Sequence, residues 1–319
     1  MNDVLHEKIS ALSEAFDEDQ NFKYTDHLED SPYYEIIKNR ILEQAKEPYP
    51  IDSVYFSWLL DLSLLHFEYA VYSFAEKNDR DTSGKHLNIS NGYGYACLYY
   101  GAKSCDCFAR KDPFIIMNKA AFMMCNLLLC GHFRAFEEVG DNLIGSLNGN
   151  NCIIKRGYRK GTISWFIIKL YSLYSGIPIK LDPLFLPNPG APYDQVLNDW
   201  DSEDLELVEK YTITLCDIHL AQASIDYATH REEDIDSLKY RELFTPHLYA
   251  IPFEIIYWFK LRSLKDLECP KVDHPLMDSL LARLYDIPFP DIPNNLPFVD
   301  ILLERISAEC DHFTYSDVD

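Results

Sequence analysis

Residues 54–75 read VYFSWLLDLSLLHFEYAVYSFA, and this stretch decides between a membrane span and a core helix. It carries Asp61, His66 and Glu68, so it offers no uncharged run long enough to cross a bilayer. Trp58, Leu62, Leu65, Tyr69 and Phe74 recur at helical spacing. The stretch therefore reads as a long core helix that starts at Asp52 or Ser53. The polar run from Lys77 to Gly84 reads as its end. Two other apolar stretches follow the same logic. Phe114 to Gly131 carries Asn118, Lys119 and Asn126, and Ile163 to Gly176 is too short for a span.

Working outward, further helices are punctuated by caps and prolines. Leu5, Ile9, Leu12 and Phe16 share one helical face. Ser31-Pro32 is a capping residue followed by proline at the first helical position, and Ile37, Ile41 and Ala45 then share a face. Pro48 and Pro50 stop that helix. A helix is expected over Tyr95 to Arg110. Asp112-Pro113 opens one to Cys130, another covers Phe133 to Leu147, and a short one covers Thr162 to Ser175. Between 178 and 192 five prolines fall too densely for a helix. Residues 177–200 thus read as an ordered connector between an N-terminal helical half, 1–176, and a C-terminal half, 201–319.

In the second half, a helix is expected from Ser202 towards Thr229. Thr245-Pro246 opens another segment, which Pro252 kinks or restarts, with Ile255, Trp258, Phe259 and Leu261 on it. Pro275 to Tyr285 and Pro297 to Glu309 read as closing helices around an extended Ile287 to Pro293. No alternating strand pattern and no fixed-period repeat appears. The expected class is all-α, with about ten or eleven helices packed as hairpins in one large or two closely packed halves.

The 319 residues are 47% apolar and 25% charged, which excludes bulk disorder because enough surface can be buried to offset the ordering entropy. Nine cysteines is an odd number at irregular spacing. Even the tightest group, Cys97, Cys105 and Cys107, matches neither paired zinc knuckles nor a redox motif, so reduced, inert thiols are expected. Met1 to Glu7 has no basic start and no apolar run, so no secretory signal and a cytoplasmic location are expected.

Charge is unevenly spread. The net is −22, yet residues 85–180 carry 12 basic and 5 acidic side chains, while 1–84 are net −11 and 181–319 net −18. Such a field opposes nucleic acid and attracts basic proteins. Lys155 to Lys160, with four cations around Tyr158, is the basic exception. Asp199, Asp201, Glu203, Asp204, Glu206 and Glu209 crowd an expected helix start, and Glu232, Glu233, Asp234 and Asp236 form a second cluster. Carboxylates at a helix start suit its dipole, but six within eleven residues exceed what capping needs.

Catalytic signatures are missing. The sequence has no GxxxxGK[ST], GxGxxG, HExxH or GxSxG. His219, Asp226 and His230 would share a helical face, but the first two stand about 10 Å apart along the axis and cannot hold one ion together. No metal, cofactor or catalytic residue is expected.

Pro246-His247-Leu248-Tyr249-Ala250-Ile251-Pro252-Phe253-Glu254 precedes an aromatic helix, and His274-Pro275-Leu276-Met277 opens a short helix before the last one. With the acidic, all-helical layout, these segments resemble immunity proteins of bacterial polymorphic-toxin and type VI secretion systems. The resemblance covers about the last third of the chain and carries no contact residues with it. It implies stoichiometric neutralisation of a cognate toxin, without catalysis. The expected contacts are Asp201, Glu203, Asp204, Glu206, Glu232, Glu233, Asp234 and Asp236, pairing with toxin lysines and arginines, and Trp200 as an anchor. The alternatives are a helical enzyme with a buried acid–base site and a helical peptide-binding adaptor. A large pocket holding His219 or His66 beside a second titratable group would mark the enzyme.

Overall fold

A computed structural model describes residues 28–46, 53–108, 117–150, 162–180, 193–223, 243, 248–293 and 295–309. Among the described residues the protein is all-α, with ten α-helices, two 3-10 segments and no strand. The expected helix over Leu5 to Phe16 lies outside the described residues.

A 3-10 turn, Leu28–Asp30, leads into α1, Pro32–Lys46. Its cap is the expected one: the backbone N–H groups of Tyr33 and Tyr34 donate to Ser31 Oγ at 3.2 and 3.5 Å. The decisive apolar stretch forms α2, Ser53–Ala75. Its half-buried positions include Ser57, Asp61, Leu64, Glu68 and Tyr72, a narrow outward stripe at helical spacing, while Tyr55, Phe56, Leu59, Leu62, Phe67, Ala70 and Val71 are core. Asp61 meets Lys119 at 3.6 Å on that stripe. No helix among the described residues is long and apolar enough to cross a membrane.

The polar run Lys77 to Gly84 is not a long break. It holds a tight turn at Asn78, with φ of 50°, and then opens α3, Arg80–Phe108, fifteen residues before the expected start. The Thr82 N–H donates to Asp79 Oδ1 at 3.0 Å, which caps the new helix. The start was hidden because α3 buries polar side chains against α2. Ser83 Oγ donates to Ala70 O at 2.9 Å, and Ser63 Oγ donates to Ser90 O at 2.7 Å. Together α2 and α3 form the dominant helical hairpin of the fold.

Helix α4, Met117–Leu129, is buried along nearly its whole length and sits centrally. It packs against α3, against α5 at Phe133–Leu147, against α6 at Thr162–Ser175, and against α9 at Phe253–Ser263. The bounds of α5 and α6 are those the sequence predicts. A six-residue helix, α7 at Tyr193–Asn198, falls inside the stretch read as a connector. Helix α8 runs over Leu205–Ala223. Pro252 restarts the chain into α9 as its N-cap. Residues 275–285, expected as a helix, are instead turns followed by a 3-10 segment, Leu281–Asp286, and α10 at Val299–Glu309 is the last helix among the described residues. Buried side chains before and after the proline-rich stretch join one hydrophobic cluster, because α9 contacts both α4 and α6.

Helices α5 and α6 approach closely at Gly140. A Cβ there would stand 2.2 Å from the Tyr171 ring, whose hydroxyl donates to Asp141 Oδ1 at 2.6 Å and Glu137 O at 2.9 Å. Alanine favours a helix by about 1 kcal/mol over glycine, but overpacking a fixed, buried ring costs about 1–3 kcal/mol. Gly140→Ala is therefore expected to lower stability in urea unfolding. A gain in stability would show that the Tyr171 ring moves aside freely.

Candidate functional site

The acidic turn between α7 and α8 is held from beneath. Arg262 on α9 is 0% exposed, and its guanidinium donates to Trp200 O at 3.0 Å, to Ser202 O at 2.8 Å and to Glu268 O at 2.8 Å. The Trp258 indole N–H also donates to Trp200 O, at 2.9 Å. Carbonyl oxygens satisfy this cation, and no carboxylate lies within ion-pair distance of it among the described residues. One buried positive charge thus underlies a carboxylate-rich turn.

Two of the carboxylates have local work. Asp204 Oδ1 caps α8 by accepting from the N–H groups of Glu206 and Leu207 at 3.1 and 3.2 Å. Asp199 Oδ2 accepts from the Tyr211 hydroxyl at 2.8 Å. Asp201, Glu203 and Glu206 are exposed, and none has a cation within ion-pair distance among the described residues. Trp200 departs from expectation. It is 8% exposed and belongs to the core cluster, so its ring is not a surface anchor. Glu232, Glu233, Asp234 and Asp236 lie outside the described residues, as do Asp226, His230 and Lys155 to Lys160.

His219 is not on a helix surface. It is fully buried, and its Nδ1 shares a proton with Glu254 Oε1 across 2.7 Å, joining α8 to α9. Its Nε2 faces the carbonyls of Leu248 and Tyr249, both at 3.2 Å, so that nitrogen donates. Both side chains are sealed in the core, and the pair ties elements together.

His66 is different. It lines a cavity of about 810 Å³ between the α2–α3 hairpin, the Leu28–Asp30 turn and the extended segment that ends at Pro297. His66 Nδ1 meets His86 Nδ1 at 2.8 Å across the hairpin, and the rings stack with centroids 5.0 Å apart. Two facing imidazole nitrogens at this distance share one hydrogen. Burial pushes His66 well below the usual histidine range, with His86 beside it adding to the shift, and burial pushes His86 down to about 4. Both rings are therefore neutral at pH 7. His66 Nε2 is buried without a partner. Asn88, which lines the same cavity, donates through Nδ2 to Asp291 O at 2.6 Å, which fixes the amide and leaves its Oδ1 buried and unpartnered.

This cavity has the mark set for the enzyme alternative, a histidine beside a second titratable group. The second group is another neutral imidazole, however, and no hydroxyl, thiol or carboxylate hydrogen-bonds to His66 among the described residues. Such an arrangement holds a proton acceptor without an activated nucleophile. The four buried thiols do not supply one. Cys97, Cys125, Cys130 and Cys216 are buried and free, and burial pushes the Cys130 thiol up to about 12. Among the described residues no group of three histidine, cysteine or acidic side chains is placed to hold a metal ion.

Comparison with protein-family models, with curated proteins and with solved structures found no match to this chain in any of the three.

Proposed function

We propose that this protein is a non-catalytic immunity protein that neutralises a basic toxin domain of a polymorphic-toxin or type VI secretion system by docking it on the acidic turn before α8. The observation that carries the reading is the set of exposed carboxylates at Asp201, Glu203 and Glu206, which have no cation partner among the described residues. Asp204 belongs to the same face, although its carboxylate also caps the helix. Arg262 fixes the backbone that bears them, so the charges are presented in one geometry and little ordering entropy is lost on binding. A net charge of −22 adds a long-range field that speeds encounter with a basic partner.

Co-expression with the protein encoded beside this one, scored as growth, tests the neutralisation. The informative variant is Asp201→Lys with Glu203→Lys and Glu206→Lys, which spares the cap at Asp204. Association is expected to slow by about tenfold or more in low salt, with a smaller change in dissociation, and rescue of growth is expected to weaken. Folding changes little, because surface substitutions usually stay within about 0.5 kcal/mol each and the lost dipole contribution of Glu206 is about 0.3–1 kcal/mol. A parallel reversal at Glu232, Glu233 and Asp234 shows whether the second cluster shares the contact. If both triple variants protect fully and bind at the wild-type rate, the acidic surface is a solvated face and the reading fails.

A further inference from the structure

The cavity beside the α2–α3 hairpin is independent of the acidic turn, and its polar groups specify a ligand. Asn88 is 3% exposed and His66 is 1% exposed, yet each presents a buried polar atom with no partner. Leaving such an atom unsatisfied costs about 1–3 kcal/mol, which a ligand in the cavity would recover. Asn88 Oδ1 can only accept, so the ligand must donate there. His66 Nε2 accepts when its Nδ1 hydrogen is the one shared with His86. Two unsatisfied acceptors on residues that line one cavity ask for a donor-rich group.

The rim chooses the charge of that group. Glu29, Asp81, Asp286 and Asp291 line the cavity against Arg80 and Lys85, an excess of two negative charges. An anion would meet these carboxylates and then two buried acceptors. A cation meets neither obstacle, and Tyr34 and Tyr93 in the wall are aromatic side chains of the kind that favour one.

We propose that this cavity binds a small organic cation carrying N–H donors, an ammonium of the size of a short diamine, which hydrogen-bonds to Asn88 Oδ1 and His66 Nε2. The full chain is titrated calorimetrically in low salt with 1,4-diaminobutane, and separately with 1,4-butanediol and with inorganic phosphate. The diamine is expected to bind once per chain, the diol at least about tenfold more weakly, and phosphate not at all. Asn88→Leu is expected to weaken diamine binding by about tenfold or more, and Asn88→Asp, which replaces the amide oxygen by a carboxylate, to retain or tighten it. His66→Phe is expected to weaken it as well. Should that variant fail to fold, the two Asn88 variants decide the matter alone. Diol or phosphate binding as tight as the diamine's overturns the proposal, as does a diamine affinity weaker than about 1 mM. Diamine binding that Asn88→Leu leaves unchanged also overturns it, since the cation is then only a counterion of the acidic surface.

Discussion

Glu254→Leu and His219→Leu are each expected to destabilise the protein by about 3–5 kcal/mol, while the double variant costs clearly less than their sum. The reason is burial. Both side chains are fully enclosed, and the pair is linked across 2.7 Å. Removing His219 strands a carboxyl group whose Oε2 already lacks a partner. Removing Glu254 strands the His219 Nδ1 position, while Nε2 remains tied to Leu248 and Tyr249. Replacing both by leucine removes the two polar groups together, and well-packed apolar residues often substitute for a buried pair at little cost. Urea unfolding of the wild type, both single variants and the double variant gives the coupling directly. Single variants that each cost under about 1 kcal/mol, or a double variant equal to the sum, would show that the two groups do not depend on each other.

Acid is expected to destabilise the protein well before most carboxylates titrate. In the unfolded chain His86 takes a proton near pH 6.5, whereas in the folded protein burial holds it down to about 4. Between these values the unfolded state binds more protons, so stability falls as pH falls. Above pH 6.5 neither state is protonated there, and the contribution is constant. The loss from His86 by pH 5 amounts to about 2 kcal/mol, and His66, also lowered by burial, adds in the same direction. Unfolding midpoints measured between pH 7.5 and 5 test this against the double variant His66→Phe with His86→Leu. The variant's profile should be much flatter over that range, whatever its absolute stability. A wild type as stable at pH 5 as at pH 7.5 would mean that water reaches these rings.

The pairing of His66 with His86 was nearly legible. Ser63 with Ser90, His66 with His86 and Ala70 with Ser83 mark one antiparallel register about a turn near Glu76. A reader who had started α3 at Arg80 would have placed the two histidines opposite each other. The polar composition of Asp79 to Asn91 concealed that start, because polarity in sequence reads as exposure. Here the hydroxyls of Ser83 and Ser90 satisfy themselves inside the hairpin.

What the sequence determined by itself was everything set within a turn or two of the chain. The Ser31 cap, the bounds of α5 and α6 and the rejection of a membrane span at Asp61, His66 and Glu68 all depend on neighbours at i to i+4. What the tertiary structure decided was which polar side chains go inside. Trp200 lies at the edge of an acidic segment and reads in sequence as a surface anchor, yet it is buried, because α9 brings the Trp258 and Arg262 donors to its carbonyl oxygen. Sequence spacing places His219 only on one helical face with Asp226 and His230, and it is buried because Glu254, thirty-five residues away, supplies the partner. Burial of a polar group is favourable only with its partner in place, and that partner comes from a distant part of the chain.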